Sequence, residues 1–358
     1  MLYLALFCFV VCFALLWLFL FRKFHLLDKP WSDLKGTRKP VPTMQWIFVY
    51  LIFLLAVLFF FHDDFSNSLV QSFLIWGGII VVVELVTELE YIGKITFKIP
   101  PFVRFLFHFF ASFLTLYLSG ITDFSFSGFW FDFVIPQWIF YFLFSLRSVF
   151  IINAVNRIDG VNAQGNGILT IGFFTIYCLI HFIVFQSYTE FPNESVLHLV
   201  EKLSLLLGMI SLVYTVIEFK PFGLIRDIWT MFLAFGLAYL SLLWGTKIGT
   251  IIVTLSLVIF DALWIIRYRI FILKKNPMKW DYTHLHHRLL WLWWTRWEVR
   301  AFVWIFSLFM MLLILLQGTD RLHKVIIFCV MAVLFFWINT YLFIYKKLPC
   351  GLNKEKEN

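Results

Sequence analysis

The chain alternates long apolar runs with short polar stretches. Runs of about 20 apolar residues are long enough to cross ~30 Å of hydrocarbon as helix. Eleven such stretches lie near residues 2–21, 44–61, 68–86, 101–119, 133–152, 167–187, 195–217, 228–245, 248–266, 299–317 and 324–345. They predict an all-α polytopic membrane protein of eleven transmembrane helices, with an integral membrane domain over 1–345 and a charged tail over 346–358. The first run has no basic residues ahead of it and is followed by Arg22 and Lys23, so it reads as a retained anchor helix, not a signal peptide.

Composition sharpens this picture. Of 358 residues 62% are hydrophobic and only 14% charged, well under the roughly 25% charge of a soluble domain. Strict alternation of eleven spans, starting outside, puts all but four of the 29 lysines and arginines on the cytosolic side, Arg147 among them. The exceptions are Lys202, Lys247, Arg321 and Lys324. That bias is the one expected of inner loops, in a plasma (inner) membrane protein. The net charge of +8 then follows from topology and contact with anionic headgroups. No basic soluble face exists for nucleic acid. Cys8, Cys12, Cys178 and Cys329 sit inside apolar runs and read as small hydrophobes.

The polar chemistry collects in the inner loops. The first, "LLDKPWSDLKGTRKPVPTM", is basic and proline-rich, and it reads as a juxtamembrane belt or, with Lys29, as a seat for phosphates. Glu84, Glu88 and Glu90 end the third run. Acids at that depth need a partner, either a metal or a salt bridge to Lys94 or Lys98. In "NAVNRIDG", Asn153, Asn156 and Asp159 are spaced to share one helix face. Amides and a carboxylate so placed can bind a chelated diphosphate or a uracil edge. Gly160, Gly165 and Gly167 are then expected to break the helix. Asp227 opens the eighth run, as a functional acid or as a helix cap.

The densest cluster is "DYTHLHHRLL", which gathers Asp281, His284, His286, His287 and Arg288 into eight residues. Imidazoles at such spacing can ligate zinc or bind a diphosphate. The arginine and nearby lysines favour the anion, with Asp281 orienting one ring through its N–H. The following "LLWLWWTRWEV" reads as an interfacial aromatic segment.

Three of these stretches together, in order, resemble the polyprenyl-phosphate N-acetylhexosamine-1-phosphate transferases. They are "LLDKP…PVPTM" at Asp28, Lys29, Pro30 and Pro42, "NAVNRIDG" at Asn153, Asn156, Asp159 and Gly160, and "FDALWIIRYRI…NPMKWDYTHLHHRLL" from Asp261 to Leu289. The resemblance implies transfer of a sugar-1-phosphate from a UDP-sugar to polyprenyl (undecaprenyl) phosphate, with release of UMP, at a cytosolic Mg2+ site. It implies Asp159, Asp227 and Glu88 as catalytic residues, with Asp227 and Glu88 on the metal. The substrates would be held by Asn153, Asn156, Lys29, His284, His286, His287, Arg288 and Asp281. The partners implied are the UDP-sugar, the polyprenyl phosphate, the lipid bilayer and a second copy of the chain in a homodimer. Five features depart from the family pattern. Thr87-Glu88 replaces an Asp-Asp pair, Asn162 a second aspartate, "RDIWT" a motif with glycines and serine, "TMQW" a Gly-Gly, and Thr37 a histidine. These losses raise a second reading, a homologue that binds UDP-sugar or lipid phosphate without turnover.

Overall fold

The structure, a computed structural model, describes residues 2–24, 46–91, 96–97, 99–120, 125–127, 132–185, 194–219, 222–223, 227–243, 248–274, 283–318 and 321–345, with the backbone alone at Asp227. It is helical apart from one two-stranded antiparallel hairpin, β1 (Ser125–Ser127) and β2 (Asp132–Val134), in the connection before the fifth helix. The helices are α1 (Leu2–Lys23), α2 (Trp46–Phe60), α3 (Ser68–Tyr91), α4 (Pro101–Ser119), α5 (Gln137–Ile158), α6 (Gln164–Cys178), α7 (Glu194–Phe219), α8 (Asp227–Leu243), α9 (Ile248–Thr254), α10 (Ser256–Arg267), α11 (Leu285–Trp291), α12 (Arg296–Gln317) and α13 (Arg321–Asn339). Wider π-helical turns extend α6 over Leu179–Val184, α10 over Tyr268–Ile272 and α13 over Thr340–Tyr345.

Among the described residues eight helices, not eleven, are long and apolar enough to cross a membrane. The other three predicted stretches are helical too. However, α2 and α8 are shorter, and the 248–266 stretch is interrupted at Leu255, whose ψ of 13° leaves the helical region between α9 and α10.

α8 is the centre of the bundle. It is apolar all round, and Ile228 through Leu242 are buried side by side, which marks a helix with no lipid face. Helices α3, α5, α6 and α7 pack against it. At the periphery, α13 exposes Val325, Val330, Val333 and Trp337, as a lipid-facing helix does.

Contacts between helix ends fall into two sets. At one end Arg22 Nη2 donates to the Phe222 carbonyl at 3.4 Å, and Arg300 Nη1 donates to the carbonyls of Asn162 at 3.3 Å and Phe219 at 3.1 Å. At the opposite end Lys202 pairs with Asp64 at 2.8 Å, and Lys324 donates to Thr250 at 3.0 Å. Arg147, assigned above to the cytosolic side, does not lie there. It sits midway along α5 and bonds Ser241 at 2.8 Å, near the far end of α8.

Candidate functional site

Helix α5 continues to Ile158, so Asn153, Asn156 and Asp159 descend one face as the spacing predicts. Their side chains do different things. Asn153 Nδ2 donates to the Val149 carbonyl of its own helix at 2.8 Å. Asn156 Nδ2 is buried with no hydrogen-bond partner among the described residues. Asp159 joins three helices. Its Oδ1 accepts the Gly165 N–H from the first turn of α6 at 2.6 Å, and its Oδ2 accepts Thr230 Oγ1 from α8 at 3.1 Å. Thr230 lies one turn along from Asp227.

The glycines correct the sequence reading. Gly160 lies in the turn after α5, but Gly165 and Gly167 are inside α6 and break nothing. Both are close-approach positions. A Cβ on Gly165 would meet Asp159 Cγ at 2.6 Å, and one on Gly167 would meet Trp304 Nε1 at 2.2 Å. The left-handed turn that starts α6 falls on Ala163, at φ 68°.

The acids at the end of α3 are placed otherwise than expected. Glu84 takes two bonds from Arg104 of α4, at 3.1 and 2.7 Å, and lies 2.9 Å from His108 Nε2. Arg104 also approaches Met231 Sδ, at 3.8 Å, beside Thr230. The chain thus brings the end of α3 to the start of α8. Glu88, one turn beyond Glu84, is buried there. Lys94 and Lys98, the expected partners, lie outside the described residues.

The histidine segment forms α11, with His284 extended just before it. One carboxylate organises it. Asp261 of α10 accepts the Leu285 N–H at 3.0 Å and Arg288 Nη2 at 2.7 Å, and its Oδ2 lies 3.4 Å from His284 Nδ1. The second nitrogen of Arg288 bonds Asn339 Oδ1 of α13. The guanidinium also lies 4.9 Å from the centre of the Phe343 ring and 5.8 Å from that of Trp264. Arg288 is fully buried. It is the internal ion-pair partner of Asp261.

His286 goes elsewhere. It too is buried, and a Cβ on Gly160 would come within 1.9 Å of its Nε2. The two strongest motifs therefore touch, through Gly160 and His286. Neither ring nitrogen of His286 has a hydrogen-bond partner among the described residues. Burial pushes its pKa well below the ordinary histidine value, and the neighbouring His287 and His284 push the same way. His286 is thus neutral at pH 7. His287 lies beside it, ring centres 4.0 Å apart, and is only half buried.

This end of the bundle collects further buried polar atoms without hydrogen-bond partners among the described residues, at Trp229 Nε1 and the Gln164 amide. Buried polar groups are satisfied in the large majority of cases, so a cluster of orphans marks a place where a polar ligand would supply bonds. The side chain of Asp227 is not described, and Lys29 and Asp281 lie outside the described residues. No group of three histidine, cysteine or acidic side chains among the described residues is placed to hold a metal ion. Sequence reasoning passed over Thr230, Asn339 and the role of Asp261. Of these, Asp261 was visible as an acid inside an apolar run, which is a functional signal by itself.

Fold and site together define a helical membrane protein in which Asp159, Thr230, Gly160 and His286 bring the ends of α5, α6, α8 and α11 together. No family model matches the chain, and no curated protein matches it.

Proposed function

We propose that the protein is a sugar-1-phosphate transferase that uses a UDP-sugar and a polyprenyl phosphate. In this reading the chain crosses the plasma membrane eleven times, and the motif end faces the cytosol. The observation that carries it is the contact of Gly160, at the end of "NAVNRIDG", with His286 of "HLHH", two stretches more than a hundred residues apart. Asp159 draws the start of α8 to the same place through Thr230.

In the reaction, an oxygen of the lipid phosphate attacks the β-phosphorus of the UDP-sugar. The bond from that phosphorus to the bridging oxygen breaks, and UMP leaves with the oxygen. Phosphoryl transfer of this kind needs positioning and charge neutralisation more than covalent help from the protein. Asn156 Nδ2 offers a donor. His286, being neutral, offers one donor and one acceptor. His287, half buried beside it, presents a second imidazole. Asp159 holds α5, α6 and α8 in register and leaves the amide-bearing face of α5 in place.

The donor set suits magnesium, since Asp159, Glu88 and Thr230 are all oxygen donors with Asp227 at the head of the same helix. Magnesium commonly takes one or two carboxylates and completes its shell with phosphate and water, so the lack of a three-residue cluster is no misfit. When bound there it would neutralise diphosphate charge. Asp227 and Glu88 are the residues that would hold it.

The test uses purified protein with magnesium, labelled UDP-GlcNAc and undecaprenyl phosphate. Labelled lipid and stoichiometric UMP are expected. Binding of the nucleotide sugar without either product would favour the non-catalytic homologue. The internal use of Arg288 by Asp261 favours that second reading to the extent that it removes one cation from the substrate's reach.

A further inference from the structure

We infer that Asp261 is the residue that positions the histidine segment, and that Arg288 acts with it and not on substrate. Asp261 lies inside α10, about 16 Å back from the end of that helical stretch at Ile272, counting ~1.5 Å per residue. The histidine segment must therefore turn back along α10 to reach it. What holds it there is three bonds to a single carboxylate: the Leu285 N–H, the His284 ring and the Arg288 guanidinium.

The helix geometry gives these bonds a directional consequence. His284 and Arg288 are one turn apart and face α10 together. His286, two residues on, stacks its ring on that of His284 at 5.9 Å and lies against Gly160. Asn339 closes the far side of Arg288, so α13 is part of the same clamp. A carboxylate holding an imidazole fixes both its tautomer and its orientation. Here it fixes the orientation of the whole segment. The inference rests on the transferase reading only for what His286 and His287 touch, and not for where they are held.

Two variants test it. Asp261→Asn keeps the shape but leaves the Arg288 charge buried and unpaired, which threatens the fold. The double variant Asp261→Leu, Arg288→Met removes both charges together, an exchange that is often neutral for stability, and deletes all three bonds. The first measurement is cross-linking of Gly160→Cys to His286→Cys by a short bifunctional reagent, with Cys8, Cys12, Cys178, Cys329 and Cys350 replaced. The second is affinity for UDP-GlcNAc and, separately, for undecaprenyl phosphate.

The double variant is expected to unfold at nearly the parent temperature and to lose most of the cross-link. It is expected to bind UDP-GlcNAc about 10- to 100-fold more weakly, the range seen when a group holding a ligand imidazole is lost. Lipid affinity is expected to stay. A purely structural pair would weaken both substrates alike, and that result, or an undiminished cross-link, overturns the inference. If the parent protein does not bind UDP-GlcNAc, the transferase reading fails. A cross-link that still depends on Asp261 then upholds the positioning role.

Discussion

His286 and His287 are neighbours in sequence but differ in what they can do. His286 is sealed against Gly160 and held neutral, while His287 keeps part of its surface in water. Gly160 has an ordinary negative φ, so its need for glycine is steric and not conformational. Gly160→Ala is expected to displace the imidazole at a cost of about 1–3 kcal/mol, and to weaken UDP-GlcNAc binding while the protein still purifies as a folded species. Unchanged binding by calorimetry would mean the contact is only packing. His286 also sets a pH dependence. Its folded pKa lies below the unfolded value near ~6.5. Above that pH neither state is protonated and nothing is lost. As pH falls below it, the unfolded chain takes up a proton that the buried ring refuses, so stability drops by up to ~1.4 kcal/mol per pH unit. Melting curves at pH 7.5 and 5.5 should show a smaller drop for His286→Gln than for the parent. The surroundings of the Arg288 side chain were not legible from sequence, for a physical reason. Adjacency along the chain suggested one anion-binding cluster, whereas the Arg288 side chain is taken up by Asp261 and Asn339.

At the scale of elements, hydrophobic runs located the helices well, because a membrane span must be apolar over its whole length whatever packs on it. The same fact hid the packing. With no polar face to read, nothing in "DIWTMFLAFGLAYLSLL" distinguishes the central helix α8 from the lipid-facing α13. The turn at Leu255 and the π-helical turns left no mark that composition could reveal. Glycine was the other ambiguous signal. "DGVNAQGNG" reads as a broken helix, but two of its glycines let α6 approach Asp159 and Trp304 closely. The element-scale prediction follows from Gly167. A Cβ there would strike Trp304, whose Nε1 donates to the Gln164 carbonyl at the start of α6. Gly167→Ala should destabilise the protein by about 1–3 kcal/mol through overpacking. Gly167→Ala combined with Trp304→Phe should recover part of that loss, because Phe lacks the colliding nitrogen edge. Equal melting temperatures for parent and Gly167→Ala would show that α6 and α12 sit farther apart.

For the whole molecule, the distribution of charge was legible and one residue misplaced it. Arg147 sits midway along α5, not at the end of the bundle that carries the site. A helical side chain leans toward its own N-terminus, and for α5 that direction leads to Ser241 at the end opposite the site. Removing Arg147 from the count leaves the bias intact, because the remaining inner-loop cations still far outnumber Lys202, Lys247, Arg321 and Lys324. Two of those four, Lys202 and Lys324, bond to groups at the end opposite the site. The positive-inside rule then predicts the site end in the cytosol. That polarity is open to direct measurement. Ser66 is exposed in the turn between α2 and α3, and Trp293 is 94% exposed between α11 and α12, at opposite ends of the bundle. In a cysteine-free background, Ser66→Cys should react with a membrane-impermeant maleimide in intact cells. Trp293→Cys should react only after the membrane is opened. The reverse pattern would place the site outside the cell, away from any UDP-sugar pool. Labelling of both in intact cells would put the two ends on one side and remove the span count altogether.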